Sequence, residues 1–154
     1  MKIIFLDIDG VLNSKRYDNL RTAEQGNIDE TRLALLKGLV DDTQAKLVLI
    51  STWRKHWDTD ASLCDEIGRQ LNALFEKYGM TIMDKTPELL AYDRPWEVRR
   101  WLREHEGEVE SYVILDDLPW GWGELEECHV RTDFNVGWGL GEKHIQKARD
   151  ILMR

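Results

Sequence analysis

Three short, unbroken apolar runs in this chain each stop at polar or acidic residues. Lys2–Leu6 (KIIFL), Lys46–Ile50 (KLVLI) and Tyr112–Leu115 (YVIL) have the length and β-branched content of strands buried on both faces. Thr81–Met83 and His129–Arg131 are shorter strand candidates. Between them the apolar period lengthens to that of helices. Ile28, Leu33, Leu36 and Val40 fall at helical spacing after Asp29, a suitable N-cap. Leu63, Ile67, Leu71, Leu74 and Phe75 predict a long helix over Asp60–Tyr78 that ends at Gly79. Arg94–His105, with Pro95 in its first turn, and Glu142–Met153 complete the helices. Asn13–Asn27 is polar without a period and reads as a flap or loop.

The predicted order is therefore β-α-β-α-β-α-β-(β)-α. Strands alternating with helices imply an α/β domain: a Rossmann-like three-layer sandwich around a parallel sheet of about five strands. No repeat, low-complexity tract or long linker divides the 154 residues, which suit a single domain. Hydrophobic residues make up 42% and charged residues 32%, as in soluble globular proteins. No apolar run has bilayer-spanning length. Asp7 and Asp9 interrupt the opening apolar stretch, which therefore reads as a folded strand rather than a signal peptide. Cys64 and Cys128 lack metal-site spacing and read as reduced thiols of a cytoplasmic protein. The formal net charge of −8 opposes tight, non-specific binding of nucleic acid. A single phosphate can still be engaged locally, because a bound divalent cation supplies the missing positive charge.

The stops after the strands carry the chemistry. The first is Asp7-Ile8-Asp9-Gly10, the second Ser51-Thr52-Trp53-Arg54, and the last Asp116-Asp117. In a doubly wound sheet, ligands bind beyond the carboxyl ends of the strands. Unpaired carboxylates directly after buried strands are costly, and a shared cation relieves that cost. Mg²⁺, which takes hard oxygen ligands and keeps several waters, suits such a set together with a phosphate. The Asp-x-Asp spacing lets one carboxylate act as nucleophile while its neighbour moves a proton.

FLDIDGVL, LVLISTWR and YVILDD together resemble the phosphatase-type members of the haloacid dehalogenase (HAD) superfamily, in an essentially capless form. Trp53-Arg54, the run from Arg94 through Glu97-Val98 to Trp101-Leu102, and Thr132-Asp133 are similar to a narrower group, the small HAD domain of composite bacterial RNA-repair proteins. Pro95 departs from that pattern, which has glycine there. The resemblance implies that Asp7 attacks phosphorus to form an aspartyl-phosphate and that Asp9 serves as acid and then base. Ser51 would bond the transferring phosphoryl group, with Gly10, Thr52 and Arg54 as further substrate contacts. Arg94 is the best match to the basic residue, with Lys85 second. Mg²⁺ would be held by Asp7, the backbone carbonyl of Asp9 and Asp117. Asp116 would hold the basic residue or a metal-bound water, and the two carboxylates are interchangeable in these roles. The implied substrate is a phosphate ester, on a nucleotide or at an RNA or DNA end; the alternative readings are a small-molecule phosphatase or nucleotidase and a non-catalytic HAD-like binding module.

The remaining features have plainer readings. Trp120, Trp122 and Trp138 lie in glycine-rich segments and are read first as packing, with base stacking as the sharper alternative. Trp53 and Trp101 read as structural. Lys55 and His56 are either at a substrate's leaving portion or on a solvated helix start. Arg99, Arg100 and Arg103 with Glu97, Glu104 and Glu106 read as an exposed, charge-paired face. His105, His129 and His144 have no ligand spacing.

Overall fold

A computed structural model describes residues 1–89 and 93–154. Five parallel strands, β1 (Lys2–Leu6), β2 (Lys46–Leu49), β3 (Ile82–Lys85), β4 (Ser111–Asp116) and β5 (His129–Arg131), form one sheet in the order β3-β2-β1-β4-β5. The chain builds outward from β1 through β2 to β3, then crosses back to place β4 on the other side of β1. That reversal puts a topological switch point at the carboxyl ends of β1 and β4, where the sheet opens a crevice for ligands.

Alternation along the strands sorts the core into two layers. Ile4 and Leu6 of β1 face α2 (Glu30–Thr43), α3 (Glu66–Lys77) and α5 (Glu142–Leu152), among Leu33, Leu36, Phe75 and Ile151. Ile3 and Phe5 point the other way, toward α4 (Arg94–Glu104) and the turn after β4, where they meet Val98, Trp101, Trp122 and Leu125. Phe5 and Trp101 pack edge to face with centroids 5.3 Å apart, an arrangement that aligns positive ring edge with negative ring face. No helix among the described residues is long and apolar enough to cross a membrane.

The α/β class, the parallel sheet and the sequence order of its strands agree with the expectation. Three local readings need correction. Asn13–Asn27 contains a short helix, α1 (Lys15–Leu20), whose start is capped by the Ser14 hydroxyl accepting from the Tyr17 N–H at 3.1 Å. The Tyr17 hydroxyl also lies 2.8 Å from the Gly26 carbonyl, which ties down the loop that follows. The single helix expected over Asp60–Tyr78 is a 3₁₀ turn (Ala61–Leu63) followed by α3. Two aspartates cap separate starts: Asp60 accepts from the Ser62 N–H and Asp65 from the Gly68 N–H. Short polar side chains thus outcompete helix propagation between them. In consequence Leu63 and Ile67, expected on the buried face, are 68% and 42% exposed. Glu97, expected on a solvated face, is buried, and Arg99 pairs with Glu124 instead of a neighbour on its own helix.

Candidate active site

Each strand end at the switch point is fixed by backbone bonds before any side chain acts. The Asp7 N–H donates to the Leu115 carbonyl at 3.0 Å, and the Thr132 N–H to the Asp116 carbonyl at 3.2 Å. Asp7 and Asp116 are thereby held on adjacent strands with both carboxylates buried. Arg94, at the start of α4, reaches back so that its Nη1 lies 3.1 Å from Asp7 Oδ2 and 2.8 Å from Asp116 Oδ2. Asp117, half-buried, completes the group. One oxygen from each of Asp7, Asp116 and Asp117 lies within 4.8 Å of the others.

These carboxylates perturb one another. Burial, then the charges of Asp116 and Asp117, push the Asp7 carboxyl well above the ordinary range, against the pull of Arg94 and the Ile8 N–H. Burial and Asp116 also raise Asp117. Burial disfavours charge on Arg94, but Asp7 and Asp116 outweigh it and hold the guanidinium charged. Three carboxylates and one guanidinium leave a formal surplus of two negative charges in a largely desolvated pocket. An all-oxygen donor set with that surplus fits a hard divalent cation such as Mg²⁺.

Glycine shapes the approach. Gly10 has φ +86, and a Cβ there would lie 2.4 Å from Asp117 Oδ2, so only a bare backbone fits beside that carboxylate. Gly139 (φ +83) plays a similar part behind the loop, where a Cβ would lie 2.8 Å from the Val11 carbonyl.

The exposed Asp9 carboxylate stands apart from the cluster. Its Oδ1 accepts from Asn13 Nδ2 at 2.8 Å and its Oδ2 from Trp53 Nε1 at 3.3 Å. The Asp9 side chain, held by those two donors, is not one of the three carboxylates that converge. Asn13 also accepts from the Gly10 N–H at 2.9 Å and donates to the Asn27 carbonyl at 3.2 Å, making it the organiser of the turn. No motif in the sequence marked Asn13, and its burial within Val11–Ser14 shows only in the fold.

Ser51 follows β2, fully buried, and its Oγ accepts from the Trp53 N–H at 3.2 Å, which starts the 3₁₀ turn Thr52–His56. That leaves the hydroxyl proton available to donate. Thr52 is exposed on the same turn. Arg54, expected at the substrate, is turned inward. Its Nη2 makes a bidentate pair with Glu97 at 2.9 and 2.8 Å, and its Nη1 donates to Thr86 Oγ1 and the Ile50 carbonyl. A guanidinium so buried and committed is a structural strut, which corrects the expectation of a substrate contact. Lys85 also lies outside the cluster, donating to the carbonyls of Arg54 and Trp57.

The tryptophans divide. Trp122 is fully buried and donates to the Leu118 carbonyl at 2.9 Å, and Trp101 donates to Asp84 at 2.8 Å. Trp120 is 74% exposed, and Trp138 carries the Arg16 guanidinium 5.2 Å above its ring. His129 is buried against the Asp116 carbonyl.

A family model described as the HAD domain in Swiss Army Knife RNA repair proteins matches residues 3–144. No curated protein and no solved structure gives a significant match. Because the match takes in every strand and all three strand-end motifs, the chain belongs to the HAD domain family of Swiss Army Knife RNA repair proteins.

Proposed function

We propose that this HAD domain is a Mg²⁺-dependent phosphomonoesterase that works through an aspartyl-phosphate on Asp7 and acts on the phosphate of a nucleotide or a nucleic-acid terminus. The observation that carries the reading is the convergence of Asp7, Arg94, Asp116 and Asp117 at the switch point, with Asp9 held separately two residues on. Asp7, Asp117 and the Asp9 carbonyl would hold the ion, which supplies charge neutralisation for the phosphoryl group and the nucleophile.

Asp7 attacks phosphorus, and the bond from phosphorus to the leaving oxygen breaks with its electron pair going to that oxygen. Protonated Asp9 gives it a proton. Water then loses a proton to Asp9 and attacks the aspartyl-phosphate, so that Asp7 is regenerated and inorganic phosphate leaves. Arg94 stabilises charge spread over the equatorial oxygens, and the Ser51 hydroxyl adds a neutral donor. The Asn13 and Trp53 N–H groups fix the Asp9 carboxylate, which keeps proton transfer and nucleophilic attack on different residues. The net charge of −8 favours recognition of one terminal phosphate over broad contact with a polyanion. Unpaired Cys64 and Cys128 agree with a reducing, cytoplasmic setting.

The test is phosphate release from 3′- and 5′-phosphorylated oligonucleotides, mononucleotides and sugar phosphates, with and without Mg²⁺. Asp7→Asn is expected to abolish turnover in a folded protein, and EDTA to silence the wild type until Mg²⁺ is restored. Full activity in Asp7→Asn would end the aspartyl-phosphate mechanism. Release from sugar phosphates alone would reassign the enzyme to small-molecule metabolism.

A further inference from the structure

A cleft of about 410 Å³ opens between the Thr52–His56 turn, the loop before α2 and the exposed side of α3, with Trp53 in its lining. One of its lining residues contacts the proposed acid directly and another reaches it through Asn13. Trp53 donates its Nε1 to Asp9 Oδ2, and the Asn27 carbonyl accepts from the same Asn13 amide that donates to Asp9 Oδ1. Apolar Ile67, Leu71 and Leu74 share the lining with Trp53, and the Gln70 amide adds a polar edge. Ile67 is 42% exposed because the helix start is displaced to Glu66, and this turns an aliphatic side chain toward the opening.

We propose that this cleft is the leaving-group site and that it takes a nucleoside, either of a mononucleotide or of an oligonucleotide's terminal residue. The proposal rests on the phosphatase reading, which places the leaving oxygen within reach of Asp9. Whatever carries that oxygen must lie on the Asp9 side of the phosphate, and the cleft is linked to Asp9 through Trp53, which lines it and donates to Asp9 Oδ2. Its volume is in the range that holds one small molecule rather than a length of polymer. Its lining selects the chemistry. An aliphatic and indole surface rewards a planar ring system, and amides at the edge can pair with ring nitrogens and carbonyls. Thr52, Glu30 and His56 in the lining can meet sugar hydroxyls, but a polyhydroxylated sugar alone would leave the apolar surface of Ile67, Leu74 and Trp53 uncovered. Lys55, exposed in the lining, adds a cation to which a further phosphate of an oligonucleotide can be drawn.

Equilibrium binding of adenosine, uridine and ribose, followed by tryptophan fluorescence and calorimetry, tests the site without turnover. Hydrolysis of nucleoside monophosphates, terminally phosphorylated oligonucleotides and glycerol phosphate is measured in parallel for wild type, Asp7→Asn, Lys55→Ala and Ile67→Glu. The nucleosides are expected to bind and ribose not to. Ile67→Glu, an exposed position that should fold, is expected to weaken nucleoside binding and nucleotide kcat/KM alike by about tenfold or more, since a carboxylate is placed against the ring. A preference for oligonucleotides that Lys55→Ala removes would identify the terminal residue as the source; equal rates on mononucleotides would identify the free nucleotide. Asp7-dependent turnover with no nucleoside binding, or with binding unchanged in Ile67→Glu, overturns the cleft assignment alone. Nucleoside binding without turnover of any ester overturns the phosphatase reading, and the leaving-group role with it.

Discussion

The buried Arg54–Glu97 pair offers the strongest mechanical test of the fold around the site. Both side chains are almost fully enclosed, at 6% and 2% exposure. Glu97 Oε2 also accepts from the Leu89 N–H at 2.8 Å, and Arg54 Nη1 holds Thr86, so the pair staples the segment after β3 to the first turn of α4. Arg94 projects from that same turn. Among the described residues Arg54 Nε has no hydrogen-bond partner, with Glu88 3.6 Å away, so the geometry leaves little spare compensation if Glu97 is lost.

Arg54→Met strands a carboxylate and Glu97→Leu strands a guanidinium. Each is expected to cost about 3–5 kcal/mol, the usual loss when one partner of a buried pair is removed. Against a total stability of roughly 5–15 kcal/mol that is a large fraction. For a chain of this length it corresponds to a fall in Tm of roughly 10–15 °C. The double variant removes both charges together, so its loss should fall well short of the sum of the two singles. Urea unfolding of the four proteins, with unchanged m-values, measures the cycle. A single-variant loss under about 1 kcal/mol, or strict additivity, would refute a buried, coupled pair. A raised KM in a stable Arg54→Met protein would instead return Arg54 to the substrate.

Two further outcomes follow from the geometry. Gly10→Ala would drive a Cβ into the space of Asp117 Oδ2, so the Mg²⁺ concentration for half-maximal phosphate release should rise about tenfold; an unchanged titration in the folded variant would remove Asp117 from the ion's ligands. His144 Nδ1 accepts from the Gly141 N–H at 2.9 Å at the start of α5, and burial, aided by Lys147, lowers its pKa. The unfolded chain therefore takes up the proton first. Stability should be full above about pH 6.5 and decline as pH falls through 6.5 toward the depressed folded value. His144→Gln should flatten that acid limb in urea-unfolding series, and an undiminished slope would place the dependence elsewhere.

What the sequence disclosed and what it hid divide along a physical line. Buried parallel strands need unbroken apolar runs, so β1, β2 and β4 were legible. Their polar ends were legible too, because a carboxylate directly after such a run has no packing rationale. Relations between distant side chains left no local trace. Arg54 stands three residues after Ser51 and has the charge to meet a phosphate, yet its direction depends on Glu97, 43 residues on. Glu97 in turn looks like one more charge in a basic and acidic helix until the tertiary fold supplies its partner. The helix over Asp60–Tyr78 failed for a different reason. Its apolar period was real, but Asp60 and Asp65 capped two separate starts, and period alone does not count caps. That misreading has a consequence for function. The displaced start is what leaves Ile67 in the lining of the cleft with Trp53, so the element whose boundary the sequence concealed also carries the candidate specificity surface. Acidic and polar groups at strand ends were open to reading by pattern, whereas the proposed leaving-group cleft is assembled from turns and helix faces that only the fold brings together.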